Sequence, residues 1–480
     1  LAQTMTPLVV PLLVQHFVGD ESKGAFYGTL RLWTLMTALL VQSLVGMISD
    51  RSTSRLGRRR PFIFASALLD VVLMAGIGLI AGLSGSTGYW ALFFLMILLS
   101  AATNIGHAAQ QGLIPDLVPE NLRGRFSGVK TILEVPLPLV IIPFTVGRLI
   151  SQGNLWAGIL VAMAIILITM LITMLVPEKP RVSPAIPLDW RPFLRLVWMT
   201  GLFLVVILAV GFLVRAVGQA LGSVKSVPFL LSVMGIVGLG SMVFAIGLGV
   251  IASIHLGLGR SAVGNRSFIW WVINRLAFLV GVTNLGSFAI YFLQARLGYV
   301  REQAAGPATT LIMFVGIFVL LTALPSGWLA DRYGRKQMVG MSGLLAALGT
   351  LVAILAPSLS VIYVGGCLIG AGTGLFYSSN WALGTSLVPQ ADAGRFLGIS
   401  NLAGAGAGAI GAYIGGPIAD LVTLQAPGYP GLGYVLLFAI YGSLFLLSIF
   451  ALRGVEEPLL PRDPSPSTPT RAETDLSVPA

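Results

Sequence analysis

Gly46-Met47-Ile48-Ser49-Asp50-Arg51, running on through Arg55 to Gly57-Arg58-Arg59-Arg60-Pro61-Phe62, decides the fold of this chain. It joins two long apolar runs. Arginines 51, 55, 58, 59 and 60 crowd into it, although only 10 % of the chain is charged. A shorter copy returns as Gly327-Trp328-Leu329-Ala330-Asp331-Arg332-Tyr333-Gly334-Arg335-Lys336. Both copies read Gly-x-x-x-Asp-Arg, a gap, then Gly-Arg-Arg/Lys. A second pair of loops repeats in the same order. Leu117-Val118-Pro119 leads to Gly124-Arg125-Phe126-x-Gly128, and Leu387-Val388-Pro389 leads to Gly394-Arg395-Phe396-x-Gly398. Each copy follows its Asp-Arg loop by two apolar runs. Two loops repeated in order imply two homologous halves.

The composition sets the solvent. The 480 residues are 56 % hydrophobic, and the mean hydropathy is +0.90. Soluble domains run nearer about 45–50 % apolar and about 25 % charged. The apolar runs are continuous over about 20 residues, the length of a membrane-crossing helix. Strands of a membrane barrel would alternate over about ten. The reading is an all-α membrane protein with the lipid bilayer as its partner. The net charge of +11 sits in short loops between spans, which is the positive-inside pattern rather than a nucleic-acid face. The single cysteine, Cys367, lies in an apolar run, so no disulfide framework is expected. The chain starts at Leu1 with a short run, read as a truncated first span.

Six spans are expected over residues 1–176, at about 1–18, 26–48, 61–83, 90–109, 128–149 and 155–176. Gly85-Ser86-Thr87-Gly88 reads as a tight turn. Residues 177–195, with prolines, basic residues and Trp190, read as a cytoplasmic linker. Two additional runs, about 196–214 and 228–254, fill an insertion over 196–260. A second six-span unit covers 261–455, at about 268–292, 308–324, 338–356, 361–381, 396–418 and 434–452. The tail, 456–480, is rich in Pro, Ser and Thr and reads as disordered. Counting both units and the insertion gives about 14 spans. The basic loops then fall on one side, placing both termini in the cytoplasm and the protein in the cell membrane.

The duplicated Gly-x-x-x-Asp-Arg…Gly-Arg-Arg/Lys loop resembles the signature of the major facilitator superfamily. That resemblance implies two six-helix bundles around a central cavity and alternating access by rocking; the two additional central spans look like its fourteen-span variants. The longer first loop, Ser49-Asp50-Arg51…Gly57-Arg58-Arg59-Arg60-Pro61-Phe62-Ile63, is similar to that of proton-coupled sucrose and glycoside transporters. Its extra residues, Ser52 to Arg55, carry that likeness. The insertion departs from that branch, which has twelve spans. The fourth span lacks the arginine of many proton-coupled drug antiporters and holds Asn104 and His107 instead.

The residues allow a mechanism to be sketched. Gly46, Asp50, Arg51, Gly57, Arg58 and Arg59, with Gly327, Asp331, Arg332, Gly334 and Arg335, read as a cytoplasmic gate. Asp50 would accept hydrogen bonds from a helix N-terminus; the resemblance makes that helix the eleventh core span, starting near Phe396. The alternative is that the arginines only set topology. Asp70, Glu134 and Arg275 lie deep in apolar runs, where a charge is costly unless paired or hydrated. They read as a proton-coupling set or a switchable ion pair; a static packing pair is the alternative. Arg31 sits in the outer part of the second span. Asn104, Asn284, Tyr291, Tyr377, Asn380 and Trp381 read as substrate-binding, with Gln15, His16 and His107 as further polar lining. Helix-interface hydrogen bonding is the competing reading.

No P-loop, metal-ligand cluster or nucleophile–base motif is present, so no cofactor, metal or enzymatic activity is expected. The expectation is a monomeric secondary transporter. Its solute would be small and polar, with sugars or glycosides favoured, and its coupling ion a proton or a monovalent cation. An exporter of amphipathic compounds, and a non-transporting receptor or scaffold on the same fold, remain as alternatives.

Overall fold

The computed structural model describes residues 5–119, 122, 126, 129–130, 133–134, 136–178, 189–258, 265–301, 303–388, 393–429 and 431–456. The tail from 457, most of the linker and parts of both Leu-Val-Pro loops, with Arg123 and Arg125, lie outside the described residues. So do the side chains at 393–403. Among the described residues there is no strand. The first group of helices is α1 (Val10–Val18), α2 (Lys23–Ser49), α3 (Arg60–Ile80), α4 (Gly85–Leu117), α5 (Pro136–Ile142) and α6 (Leu155–Met174). A widened π turn at Pro143–Gly147 and a last turn at Arg148–Ser151 extend α5. Next come α7 (Arg191–Ala220) and α8 (Val227–Leu258). The second group is α9 (Arg266–Ser287), α10 (Ala289–Leu297), α11 (Ala305–Tyr333), α12 (Arg335–Leu355), α13 (Leu359–Ser386), α14 (Ala393–Gln425) and α15 (Leu432–Ala451).

Twelve of the described helices are long and apolar enough to cross a bilayer, and two shorter apolar helices, Pro7–Val18 and Leu137–Ser151, stand where spans one and five are expected. Pro61 falls in the first turn of α3, where its missing N–H costs nothing. The expected turn at 85–88 is instead the first turn of α4, entered through Gly85 at φ +68°. The expected span 268–292 is broken at Phe288, between α9 and α10. Several helices outrun their apolar cores: α11 continues to Tyr333 and α14 to Gln425. A charged residue at a helix end reaches the interface without ending the hydrogen-bond ladder, so hydropathy undercounts such ends.

Within the first group α4 packs on α2 and α3, and α3 on α6; within the second, α13 packs on α11 and α12, and α15 on α9 and α12. The groups meet along two crossings, α2 with α14 and α5 with α11. The inserted α7 and α8 pack on each other and on α14. Glycines let α14 be approached closely. The backbone carbonyl of Ala412 lies where a Cβ on Gly28 would sit, and the Gly24 carbonyl where one on Gly416 would sit. Buried aromatics fill the second group, with Phe278 stacked on Phe376 at 3.7 Å and Phe292 on Phe438 at 3.9 Å between ring centroids. Outward-facing Leu79, Phe212 and Ile236 are 73 %, 73 % and 74 % exposed. A surface so apolar is at home in lipid and would associate in water.

Candidate functional site

The first Asp-Arg loop is a knot of charge between four helices. Gly57 sits at φ +104° and its counterpart Gly334 at φ +95°, a region where a Cβ is strained. A Cβ on Gly57 would also press on Glu178. Arg59 is buried, 5 % exposed. It donates from Nη1 to Ser49 Oγ at 2.6 Å, from Nε to Asp116 Oδ2 at 3.0 Å, and from Nη2 to Asp50. Arg58 pairs with Asp116 as well. Glu178 accepts the backbone N–H of Arg59 at 2.8 Å and of Arg60 at 3.2 Å, an anion where the α3 dipole favours one. Arg51 donates to the Met47 carbonyl at 2.9 Å. No described atom lies within 4 Å of a Cβ built on Gly46 or Gly327. Gly46 therefore makes no close helix approach among the described residues.

The second copy is built differently. Asp331 and Arg332 belong to the last turns of α11, and Gly334 alone makes the turn into α12. The Arg332 guanidinium lies over Trp328 and Tyr333, at 5.3 and 5.6 Å from the centroids. Arg335 reaches the Ala382 carbonyl at 3.3 Å, and Asp331 is exposed.

The opposite end of the molecule holds a network that sequence reasoning missed. Asp420, near the C-terminus of α14, is 5 % exposed. Its carboxylate accepts the backbone N–H groups of Ala25 at 2.7 Å and Gly24 at 3.1 Å. The Tyr434 hydroxyl donates to it at 3.1 Å. It thus caps the N-terminus of α2 from the other group of helices. Beside it, Lys23 donates to Gln294 Oε1 at 2.8 Å and to Asp20 at 2.9 Å. Gln294 donates to Gln15 Oε1 at 2.9 Å, and Tyr291 to the Pro11 carbonyl at 2.7 Å. Burial pushes the Asp20 carboxyl up, but the hydrogen bond and charge of Lys23 and the Gln15 amide outweigh it and hold the group below its ordinary value. The signal was present: Asp420 is an acid among glycines and aliphatics. The apolar run ends near Ile418 while the helix runs on to Gln425, so hydropathy alone leaves Asp420 outside the span.

Between the two ends lies a cavity of about 350 Å³, lined by Arg31, Leu139, Thr283, Ser287, Thr373 and Tyr377 among others. Of the six residues expected to bind substrate, only Tyr377 is in that lining. Asn284 is fully buried and donates to the Val280 and Ala407 carbonyls, fastening α9 to α14. Tyr291 is fully buried in the network at the Asp420 end. Asn104 donates to the Ser100 carbonyl of its own helix at 2.8 Å. Asn380, also fully buried, accepts from Arg275 Nη1 at 2.9 Å and donates to Asn274 at 2.9 Å. Trp381 and Trp271 flank the Arg275 guanidinium, at 5.4 and 5.8 Å.

The three deep charges are not gathered into one pair. Asp70 accepts from Thr103 Oγ1 at 2.9 Å. Glu134 lies 3.2 Å from His107 Nε2 and 3.7 Å from Lys130. Gln111 also faces that imidazole nitrogen, at 3.0 Å. Arg275 meets two aromatic faces, one from its own helix and one from α13, and an amide instead of a carboxylate.

Comparison with known proteins bears on family and fold. Residues 276–478 match the model of the Major Facilitator Superfamily. A 208-residue stretch is 31 % identical to sucrose transport protein SUT2 of Oryza sativa subsp. indica, covering 37 % of this chain and 40 % of that protein. Another of 86 residues is 35 % identical to the human solute carrier family 2, facilitated glucose transporter member 12, covering 18 % of this chain and 14 % of that one. The chain thus spans two fifths or less of the length of these relatives. Among solved structures, a D-xylose-proton symporter superposes with a TM-score of 0.61 at 17 % identity, over 95 % of this chain and 94 % of its own. The POT family transporter PepTSo superposes with 0.64 at 13 % identity, over 94 % and 93 %. At those identities the likeness is one of fold.

Proposed function

We propose that this chain is a member of the major facilitator superfamily, on the match of residues 276–478 and the likeness of fold, and that it is a secondary active transporter of a small solute working by alternating access. The observation that carries this reading is the closure at one end. Asp420 of the second group caps the N-terminus of α2 of the first, with a cavity beyond it between the groups. A carboxylate on two backbone N–H groups at a helix start is a strong but reversible contact. The Asp50 loop stands at the other end of the same helix, α2. Each of the two crossing helices therefore carries an aspartate near its C-terminal end, and closing one end and then the other is the motion transport needs.

The positive-inside pattern makes the Asp50 end cytoplasmic, with both termini, and the Asp420 end external. Residues 1–176 and 261–455 act as the two moving bundles, joined by the linker and the inserted pair. The gate residues at the cytoplasmic end are Gly46, Asp50, Arg51, Gly57, Arg58 and Arg59, with Asp331, Arg332, Gly334 and Arg335 as the second copy. The proton site is the His107–Glu134 pair. The same imidazole nitrogen faces a carboxylate and an amide, so its proton has two competing settings. The first loop and the names of the relatives put sugars or glycosides forward as one solute class, and the choice among small solutes rests with the lining of the cavity; a monomer suffices for the mechanism.

The test is uptake into proteoliposomes with and without a pH gradient. Solute-dependent proton movement that Glu134→Gln abolishes supports the reading; a chain that binds solutes but never moves them is a receptor and overturns it. Asp420→Asn should shift the closed–open ratio of the external end about 5- to 30-fold toward open, since one charge-assisted contact is lost. Spin-label distances across that end would report it.

A further inference from the structure

Resting on the transporter reading, the cavity itself says more about the solute. Arg31 is the one charged residue in the cavity lining, and that lining contains no Asp, Glu, Asn or Gln. Arg31 Nε has no hydrogen-bond partner, and no carboxylate pairs with this guanidinium among the described residues. Its polar neighbours include the phenols of Tyr27, with which it shares a hydrogen bond, and Tyr441. The hydroxyls of the lining are already committed as donors. Thr283 donates to the Leu279 carbonyl at 2.6 Å, Ser287 to Thr283 at 2.7 Å, and Thr373 to Ile369 at 2.7 Å. What the cavity offers is a guanidinium, the Tyr377 phenol, and aliphatic and aromatic walls from Leu139, Val282 and Phe292.

A neutral polyol needs acceptors for its hydroxyl protons, and the amides and carboxylates that serve best are absent from this lining. A guanidinium in an apolar chamber needs the reverse, an oxyanion to meet its fork of N–H donors. A second guanidinium stands toward the Asp50 end. Arg275 is held between two tryptophans with its Nε unpaired, some eight residues along α9 from Thr283, or about 12 Å at the helical rise. We propose that the solute is a small organic carboxylate with an apolar body, its charged group docking on Arg31 after passing Arg275.

The experiment is binding, by isothermal calorimetry and thermal unfolding, to the full chain in phosphatidylcholine nanodiscs. The probes are phenylacetate and 4-methylpentanoate, their neutral amides, and sucrose. The acids should bind and raise the melting temperature while the amides and sucrose do not. Arg31→Gln should weaken acid binding about ten- to a hundredfold, as loss of a hydrogen bond to a charged group does. Arg31→Lys, which keeps the charge and loses the fork, should lie between and serves if the glutamine variant does not fold. Acids binding no better than their amides, no binding of either acid, or unchanged acid affinity in the Arg31 variants would each overturn the proposal. Because binding is read without turnover, acid binding with no proteoliposome uptake leaves this site standing and removes the transport reading. Sucrose uptake without acid binding does the opposite.

Discussion

Arg59 serves two helix ends and a loop at once. Its guanidinium meets Ser49 and Asp50 where α2 ends and Asp116 where α4 ends, and it is itself buried. Asp50 and Asp116 are 54 % and 21 % exposed, so water keeps part of each charge satisfied after the arginine is gone. Arg59→Ala should therefore cost about 1–3 kcal/mol, between the values for exposed and buried pairs, read as a lower melting temperature. Its formal counterpart behaves otherwise. Asp331 is exposed at the end of α11, and Asp331→Asn should change stability by less than about 0.5 kcal/mol. The two loops look alike in sequence because glycine geometry and charge sign were copied. They differ in structure because the four extra residues of the first, 52–55, bring Arg59 under α4. Asp20 gives a third residue-scale outcome. Its carboxyl is held below the ordinary value of 3.8, so its contribution is complete above that value and fades as pH falls through the lower folded one. The melting gap between wild type and Asp20→Asn should thus stay flat from about pH 5 to 7 and close only in stronger acid.

Among elements, the α2–α14 crossing governs what the two groups can do. Gly24, Gly28 and Gly416 bring the backbones into contact, and no side chain can be added there without moving a carbonyl. Gly28→Ala and Gly416→Ala should each destabilise the closed external end by about 1–3 kcal/mol, the range for overpacking. Gly247→Ala on α8, where no atom lies within 4 Å of the new methyl, should be neutral or gain up to about 1 kcal/mol from helix propensity. Gly404, Gly408, Gly411 and Gly415 make a packing helix of α14 legible in the sequence, since small residues at helical spacing have few other uses in lipid. Its partner is not legible, because period and composition say which face is small and never which helix meets it. The same limit explains the site. Asn284 and Asn380 were singled out for their polarity, yet a polar group in a membrane protein is as often spent on a neighbouring helix as on a solute. Arg31, placed only in the outer part of its span, turned out to face the cavity.

On the scale of the whole molecule the duplication was readable because charge is rare in this chain and therefore conspicuous where it recurs. The inserted pair was readable only as two apolar runs; its mechanical allegiance comes from contacts. Phe203 of α7 lies against Gly406, the Gln425 side chain donates to the Gly218 carbonyl at 2.7 Å, and Arg215 lies over Tyr413 at 4.9 Å. Gly238 and Gly235 of α8 face Ile418, Ile440 and Leu436. These partners all belong to α14 and α15, so α7 and α8 should travel with the second group while sliding past α2. Two crosslinks separate this from a fixed collar around both groups. In a Cys367→Ser background, Gly235→Cys with Leu436→Cys joins α8 to α15, and Gln15→Cys with Gln294→Cys joins α1 to α10 across the external closure. A short thiol crosslinker on the second pair should freeze the spin-label distances across that end in the closed distribution. On the first pair it should leave them free to open. If the α8–α15 crosslink also abolishes opening, the inserted helices move against the second group and the rigid-passenger account is wrong.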